Sequence, residues 1–244
     1  EVFWETKIGK GRPGWHIECS AMSTKYLGET FDIHTGGIDL VFPHHQNEIA
    51  QSEAYSGKKF VNYWMHNEHL MVDGKKMSKS VGNLYTLNDL EKKGYDPITI
   101  RYELIASNYR QRMNFTFEGL NASKTAVEKL INFIDLAKDK EDGKGIKEII
   151  EQAKKEFEEA MDEDLNISKA LAVIFEFVKE ANKVGAGKKA YKTMTDFDKV
   201  LGILEHKKEK IPANVKKLAE EREDARKTKN WSKSDELRDK IREL

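Results

Sequence analysis

A short strand, a glycine pair and a helix opened by proline follow one another between Thr30 and Ser56, and few folds accept that order. Thr30-Phe31-Asp32-Ile33-His34 reads as a strand, and Thr35-Gly36-Gly37 ends it, the glycines permitting a tight turn. Pro43 suits the first turn of a helix running to about Ser56. Strand, glycine loop and helix are the grammar of a doubly wound α/β domain. Phe60 to His66 and His69 to Val72 read as two further short strands. Asp73-Gly74 is a turn signal that delivers the chain into Lys76-Met77-Ser78-Lys79-Ser80. Asp96-Pro97 suits the start of an amphipathic helix ending near Ser107.

Beyond roughly Phe117 the composition changes. Lys, Glu, Ala and Leu dominate, and Val127, Leu130, Ile131 and Ile134 recur at helical spacing. The pattern predicts helices over Gly119–Asp139, Ile146–Met161, Ile167–Val184, Thr193–His206, Ala213–Lys229 and Ser232–Leu244. Loops fall at Asp142–Gly145 and Gly185–Lys188, and Ser232 with Asp235 resembles a capping box for the last helix. The expected fold is therefore an α/β part followed by an all-α helical bundle. Its divisions are expected at 1–72, 73–117 and 118–244.

The chain carries 42 basic and 42 acidic side chains, so net charge points to no class of partner. From Lys207 to Leu244 there are 13 Lys and Arg against 9 Asp and Glu, a locally basic end. There Arg222, Arg226, Lys227, Lys229 and Trp231 mix cations with an aromatic ring, which suits phosphate contact and base stacking as well as a solvated helical hairpin. Tyr109-Arg110-Gln111-Arg112 is a second basic stretch, fit for a nucleic-acid stem or a helix-end cap. A single cysteine excludes an internal disulfide framework and fits a reducing, cytoplasmic setting. No apolar run approaches the ~20 residues a bilayer span needs.

His44 and Glu48 stand four apart, on one face of the expected helix, and Cys19 is the lone sulfur. Imidazole, carboxylate and thiolate together make a partial zinc shell. Each has a plainer reading: a surface pair for His44 and Glu48, a small buried hydrophobe for Cys19. Gly36, Gly37 and Asp39 follow the first strand, where glycine admits a nucleotide to the backbone and a carboxylate can accept from ribose hydroxyls.

Lys76-Met77-Ser78-Lys79-Ser80, the His-His motif Phe42-Pro43-His44-His45-Gln46-Asn47-Glu48, and Gly14-Trp15-His16-Ile17-Glu18-Cys19 together resemble the cysteinyl-tRNA synthetase family, a class I aminoacyl-tRNA synthetase group. The resemblance implies the second half of a Rossmann-like catalytic domain, then a helical domain on the anticodon side, in a cysteine–tRNA ligase. It implies Zn2+ on Cys19, His44 and Glu48, with Trp15 and His16 at the cysteine pocket. The family's remaining zinc ligand is a cysteine near the N-terminus of the full enzyme, and this chain has no second cysteine. His34 and His45 are expected near the metal without ligating it. ATP with Mg2+ is the implied co-substrate, bound by Gly36, Gly37, Asp39 and Lys79.

Lys76 and Lys79 are expected on a mobile loop that closes on the phosphates, Lys79 meeting charge on the leaving pyrophosphate. The RNA partner would be tRNA(Cys), met by Arg110, Arg112, Arg222, Arg226, Lys229 and Trp231. The family's other signature, His-x-Gly-His, has no counterpart here, so the chain is expected to form cysteinyl-adenylate poorly without the N-terminal segment of the same enzyme. Two other readings remain at this level: an ATP-dependent cysteine ligase acting on an amino sugar, and a non-catalytic tRNA-binding piece. An enzyme with no tRNA would need no basic helical hairpin.

Overall fold

The computed structural model describes residues 2–205 and 212–242. Two compact units result, one ending at Leu204 and one beginning at Glu205. The boundaries expected near residues 72 and 117 fall inside the first.

The first unit opens on a hairpin, β1 (Trp4–Thr6) with β2 (Gly9–Gly11), then helix α1 (Trp15–Leu27). The sequence pattern marked neither, since all six hairpin residues are exposed and α1 is barely amphipathic. Strand β3 (Phe31–Gly37) outruns its expected end at His34 and takes in both glycines. It pairs in parallel with β4 (Val61–Asn67), with His34 opposite Trp64 and Gly36 opposite His66. The crossover between them is a 3-10 turn (Ile38–Leu40), an irregular turn (Val41–His45) and helix α2 (Gln46–Ser56). Pro43 does not open the helix. The Phe42–Pro43 peptide is cis, Phe42 is extended, and regular helix begins only at Gln46.

Strand β5 (Leu70–Val72) turns through Asp73-Gly74 into β6 (Lys75–Lys76), with both turn residues at positive φ, as a two-residue hairpin requires. On its other side β5 pairs in parallel with β7 (Met113–Phe115), a strand too short to show in the sequence. Lys76 thus lies in a strand, and only Lys79 in the loop beyond it. Helix α3 (Leu87–Lys92) was also illegible, although Thr86 and Asp89 form a capping box. Helix α4 (Pro97–Ala106) starts where expected, capped by the Asp96 side chain.

Four helices follow in the same unit: α5 (Phe117–Ala137), α6 (Ile146–Asp162), α7 (Ile167–Val184) and α8 (Lys188–Leu201). Their core contains Leu130, Ile174, Met194 and Leu201, each at most 1 % exposed, and also takes Tyr102 from α4. By packing, the bundle therefore begins at α4. A smaller core joins Val72, Leu90, Ile100, Phe115 and Leu120, and holds the β5–β6 hairpin against α3, α4 and α5.

Helix α8 departs most from expectation, running from Lys188 to Leu201 and not from Thr193 to His206: Gly202 ends it at φ +62°, and residues 203–205 are not helical, while His206 itself lies outside the described residues. Its N-terminus is capped from a distance: Asp142, in the α5–α6 loop, accepts from Gly187, Lys189 and Ala190 backbone N–H groups.

The second unit is a helical hairpin, α9 (Ala213–Lys227) and α10 (Trp231–Arg242), sealed by Ala225, Ser234 and Leu237. Ser232 is not the cap of α10. The helix starts one residue earlier, and Asn230 Oδ1 accepts from Lys233 N–H. The final residues of the expected Ser232–Leu244 helix lie outside the described residues. Among the described residues no helix is long and apolar enough to cross a membrane.

Candidate active site

Period-two alternation sends His34 and Gly36 of β3 and Trp64 and His66 of β4 to one face of the strand pair. The turn before α2 adds His44 and His45, both buried, and the first turn of α2 adds Glu48, fully buried. Helix α1 brings Trp15 at its first position, His16 next, and Cys19 one turn on.

Glu48 is the centre of this cluster. His34 Nε2 lies 2.7 Å from Oε2 in a hydrogen bond. His44 Nε2 lies 2.8 Å from Oε1, but out of hydrogen-bonding alignment, so Oε1 is buried with no hydrogen-bond partner. A buried carboxylate oxygen left so is costly unless a cation meets it. Cys19, His44 and Glu48 offer one ligand atom each within 4.8 Å of one another, as do His34, His45 and Glu48. The first trio is the better zinc shell, since it includes sulfur and the orphaned oxygen, and His34 already serves Oε2 as a hydrogen-bond donor. The three residues fit a zinc ion in donor chemistry and spacing.

The Cys19 thiol is pushed up by burial first and then by the Glu48 and Glu18 carboxylates, so a thiolate there calls for a cation. Burial, with His34, His66 and His44 adding to it, lowers His45 to about 4. His45 Nδ1 lies 2.7 Å from His66 Nε2, whose pKa is likewise lowered, first by burial. Trp15 sets its ring 4.4 Å from that of His44 and stays largely exposed, and His16 stands at 6.4 Å. Trp64 and His66 belong to this site and were missed in the sequence. Their signal was the i,i+2 spacing in β4, which points to His34 only once the register is known.

Gly36 is needed for room, since a Cβ there would stand 2.6 Å from His45 Cε1. A Cβ on Gly37 would overlap the Asp39 carboxylate, which is exposed. Both glycines and Asp39 sit at the carboxyl end of β3, where open α/β sheets place their ligands. Lys76, on β6, and Lys79, in the loop beyond it, are both exposed, and no described carboxylate pairs with either.

Of the basic residues singled out for RNA, Arg110 donates to Asp164 through Nε and Nη2, and Arg112 Nε reaches Glu68 at 3.3 Å. In the second unit Arg226, Lys229 and Trp231 lie at the tip of the α9–α10 hairpin, Trp231 well exposed. Arg222, one turn back, is half-buried with Nε unpartnered.

A parallel strand pair, a crossover that opens through a histidine cluster, a lysine hairpin and then a helical domain make the plan of a class I tRNA synthetase. Residues 1–125 match the family model described as tRNA synthetases class I (C) catalytic domain, and residues 156–205 match the DALR domain. The chain belongs to that class I (C) synthetase family. It is 49% identical over 255 residues to a cysteine–tRNA ligase of Protochlamydia amoebophila, covering 99% of this chain and 53% of that protein. A cysteine–tRNA ligase of Leptospira interrogans is 46% identical over 261 residues, covering 99% and 55%. The chain thus spans about half the length of these curated relatives. Its fold is similar to that of the Agrobacterium radiobacter K84 LeuRS in a ternary complex with tRNA and LeuAMS, with a TM-score of 0.61 at 13% identity, over 83% of this chain and 32% of that one.

Proposed function

We propose that this chain carries the metal-and-lysine side of a cysteine-activating site, with the helical RNA side of a cysteine–tRNA ligase. The observation that carries the reading is Glu48 Oε1, buried without a hydrogen-bond partner beside Cys19 and His44 at one end of a parallel strand pair. Cys19, His44 and Glu48 would hold zinc, and the naming of the relatives supports cysteine as the substrate. When bound, zinc supplies a thiophilic Lewis acid that prefers a thiolate over a hydroxyl, a choice that shape alone would make by only ~1–3 kcal/mol.

The other roles belong to the chain's own side chains. Trp15 and His16 wall the amino-acid pocket beside His44. Gly36 and Gly37 let ATP approach the backbone, and Asp39 accepts from ribose hydroxyls. Lys76 and Lys79, exposed and with no carboxylate partner among the described residues, meet charge on the phosphates, Mg2+ sharing that task. Residues 1–72 would serve activation, 73–117 would carry the lysine loop and the connecting region that meets the acceptor stem, and 118–244 would face tRNA(Cys). Arg226, Lys229 and Trp231 suit phosphate and base, aided by Arg222. Arg110 and Arg112 would exchange their carboxylate partners for phosphates of the acceptor stem.

Anomalous diffraction at the zinc edge is the test. The expected peak lies within bonding distance of Cys19 Sγ, a His44 ring nitrogen and a Glu48 oxygen, and a peak away from all three would overturn the assignment. In a full-length ligase carrying this segment, ATP–pyrophosphate exchange should need cysteine and ignore serine.

A further inference from the structure

The lysine turn is closed by a side chain outside the Lys76–Ser80 pentapeptide. Asn83 Oδ1 accepts from the Ser78 N–H at 2.9 Å, and Asn83 Nδ2 donates to the Lys76 carbonyl at 3.2 Å. In an extended chain the C=O of one residue and the N–H of the residue two further on face the same side, where a neighbouring strand would bond them. A carboxamide has the donor and acceptor of a peptide group. Asn83 therefore acts as a one-residue strand beside Met77, on the edge of β6 that faces away from β5. Met77 in turn packs on the smaller core.

Everything beyond that anchor is a short turn: Gly82 N–H donates to Lys79 O at 3.2 Å, and Val81 N–H to Ser78 Oγ at 3.3 Å. Gly82 closes it at φ +72°, a left-handed conformation that glycine adopts without strain. Lys79 is thus carried at the tip of a turn whose two feet are tied by one side chain.

We propose that Asn83 is a positioning residue for the activation step: its carboxamide clasps Lys76 and Ser78 and so fixes where the Lys79 ammonium is presented to a triphosphate. The triphosphate part rests on the function proposed above. The clasp itself does not.

Amide hydrogen exchange on this chain tests the clasp. Ser78 N–H is expected to be protected, and Asn83→Ala should speed its exchange roughly tenfold, the share of one hydrogen bond. Asn83 lies outside both cores, and an unchanged far-UV spectrum would show that the variant folds. Asn83→Asp keeps the acceptor for Ser78 but loses the donor to Lys76, so Ser78 should remain the better protected of the two variants. Equal Ser78 exchange in the parent chain and Asn83→Ala would overturn the clasp.

Pyrophosphate exchange by a full-length ligase carrying this segment tests the positioning. Both variants should lower kcat about 100-fold, the cost of a misplaced catalytic group, with KM for cysteine unchanged. A raised KM at unchanged kcat would overturn the positioning role. Absence of cysteine-dependent exchange in the unsubstituted enzyme would overturn the functional reading and the positioning with it, while Ser78 protection would still decide the clasp.

Discussion

Glu48 is fully buried between two imidazoles, one hydrogen-bonded to its Oε2 and the other misaligned with its Oε1. Glutamine at this position keeps the shape and removes the charge that a cation needs. Glu48→Gln should therefore weaken zinc binding by at least about 100-fold in a chelator competition, a larger loss than the 10–100-fold typical of a residue behind the ligands. His34→Gln should fall within that smaller range. Gly36 bears on the same cluster from below. Gly36→Ala would set a Cβ 2.6 Å from His45 Cε1, and the ring, buried and tied to His66, has little freedom to yield. Overpacking of this kind costs about 1–3 kcal/mol, read as a lower denaturant midpoint with an unchanged slope.

Helix α8 shows how an element's start can be set from elsewhere in the chain. The α5–α6 and α7–α8 loops are zipped together: Gly143 N–H donates to Gly185 O at 2.8 Å, and Lys188 N–H to Lys140 O at 2.9 Å. A Cβ on Gly143 would overlap the Val184 carbonyl, so the glycine is needed for the approach. That pairing presents Asp142 to three N–H groups at the start of α8. Asp142→Ala should cost about 1–2 kcal/mol, the value of a strong N-cap, and Asp142→Asn clearly less, both measured as shifts of the melting temperature. The α8 sequence has no Ser, Thr, Asp or Asn at its own start, so a reading of local signals passes over the first turn and begins at Thr193. Asp96 before α4 and Thr116 before α5 cap their own helices, and α4 begins where the sequence indicates.

Across the first unit, the α6–α7 turn and the segment before β7 are joined by Asp164, which takes hydrogen bonds from Tyr109 Oη and Arg110. Asp164 and Leu165 both have positive φ, an uncommon conformation for such residues, and the paired side chains help to hold it. The Arg110 hydrogen bond first, and then that of Tyr109, holds the Asp164 carboxyl below the usual 3.8. A lowered folded-state value gives stability that is fully present above 3.8 and is lost as pH falls through the lower folded value. The melting-temperature gap between the parent chain and Asp164→Asn should therefore hold steady near neutral pH, close in acid, and shrink in high salt, as befits an exposed pair.

Local chemistry made much of this chain legible. The i,i+4 step from His44 to Glu48, the Asp73-Gly74 turn, the lysine pentapeptide and the apolar stripes of α5 to α7 all depend on neighbours within a few residues, and each reads directly from residue order. What packing alone decided lies between distant segments. Cys19 meets Glu48 because α1 packs beside α2, His34 meets Trp64 through a strand register, Asp142 caps a helix 45 residues away, and β7 is a strand only because β5 offers it an edge. Those pairings have no period and no fixed spacing in the chain, since what stabilises them is the burial and hydrogen bonding that exist only once the segments are side by side.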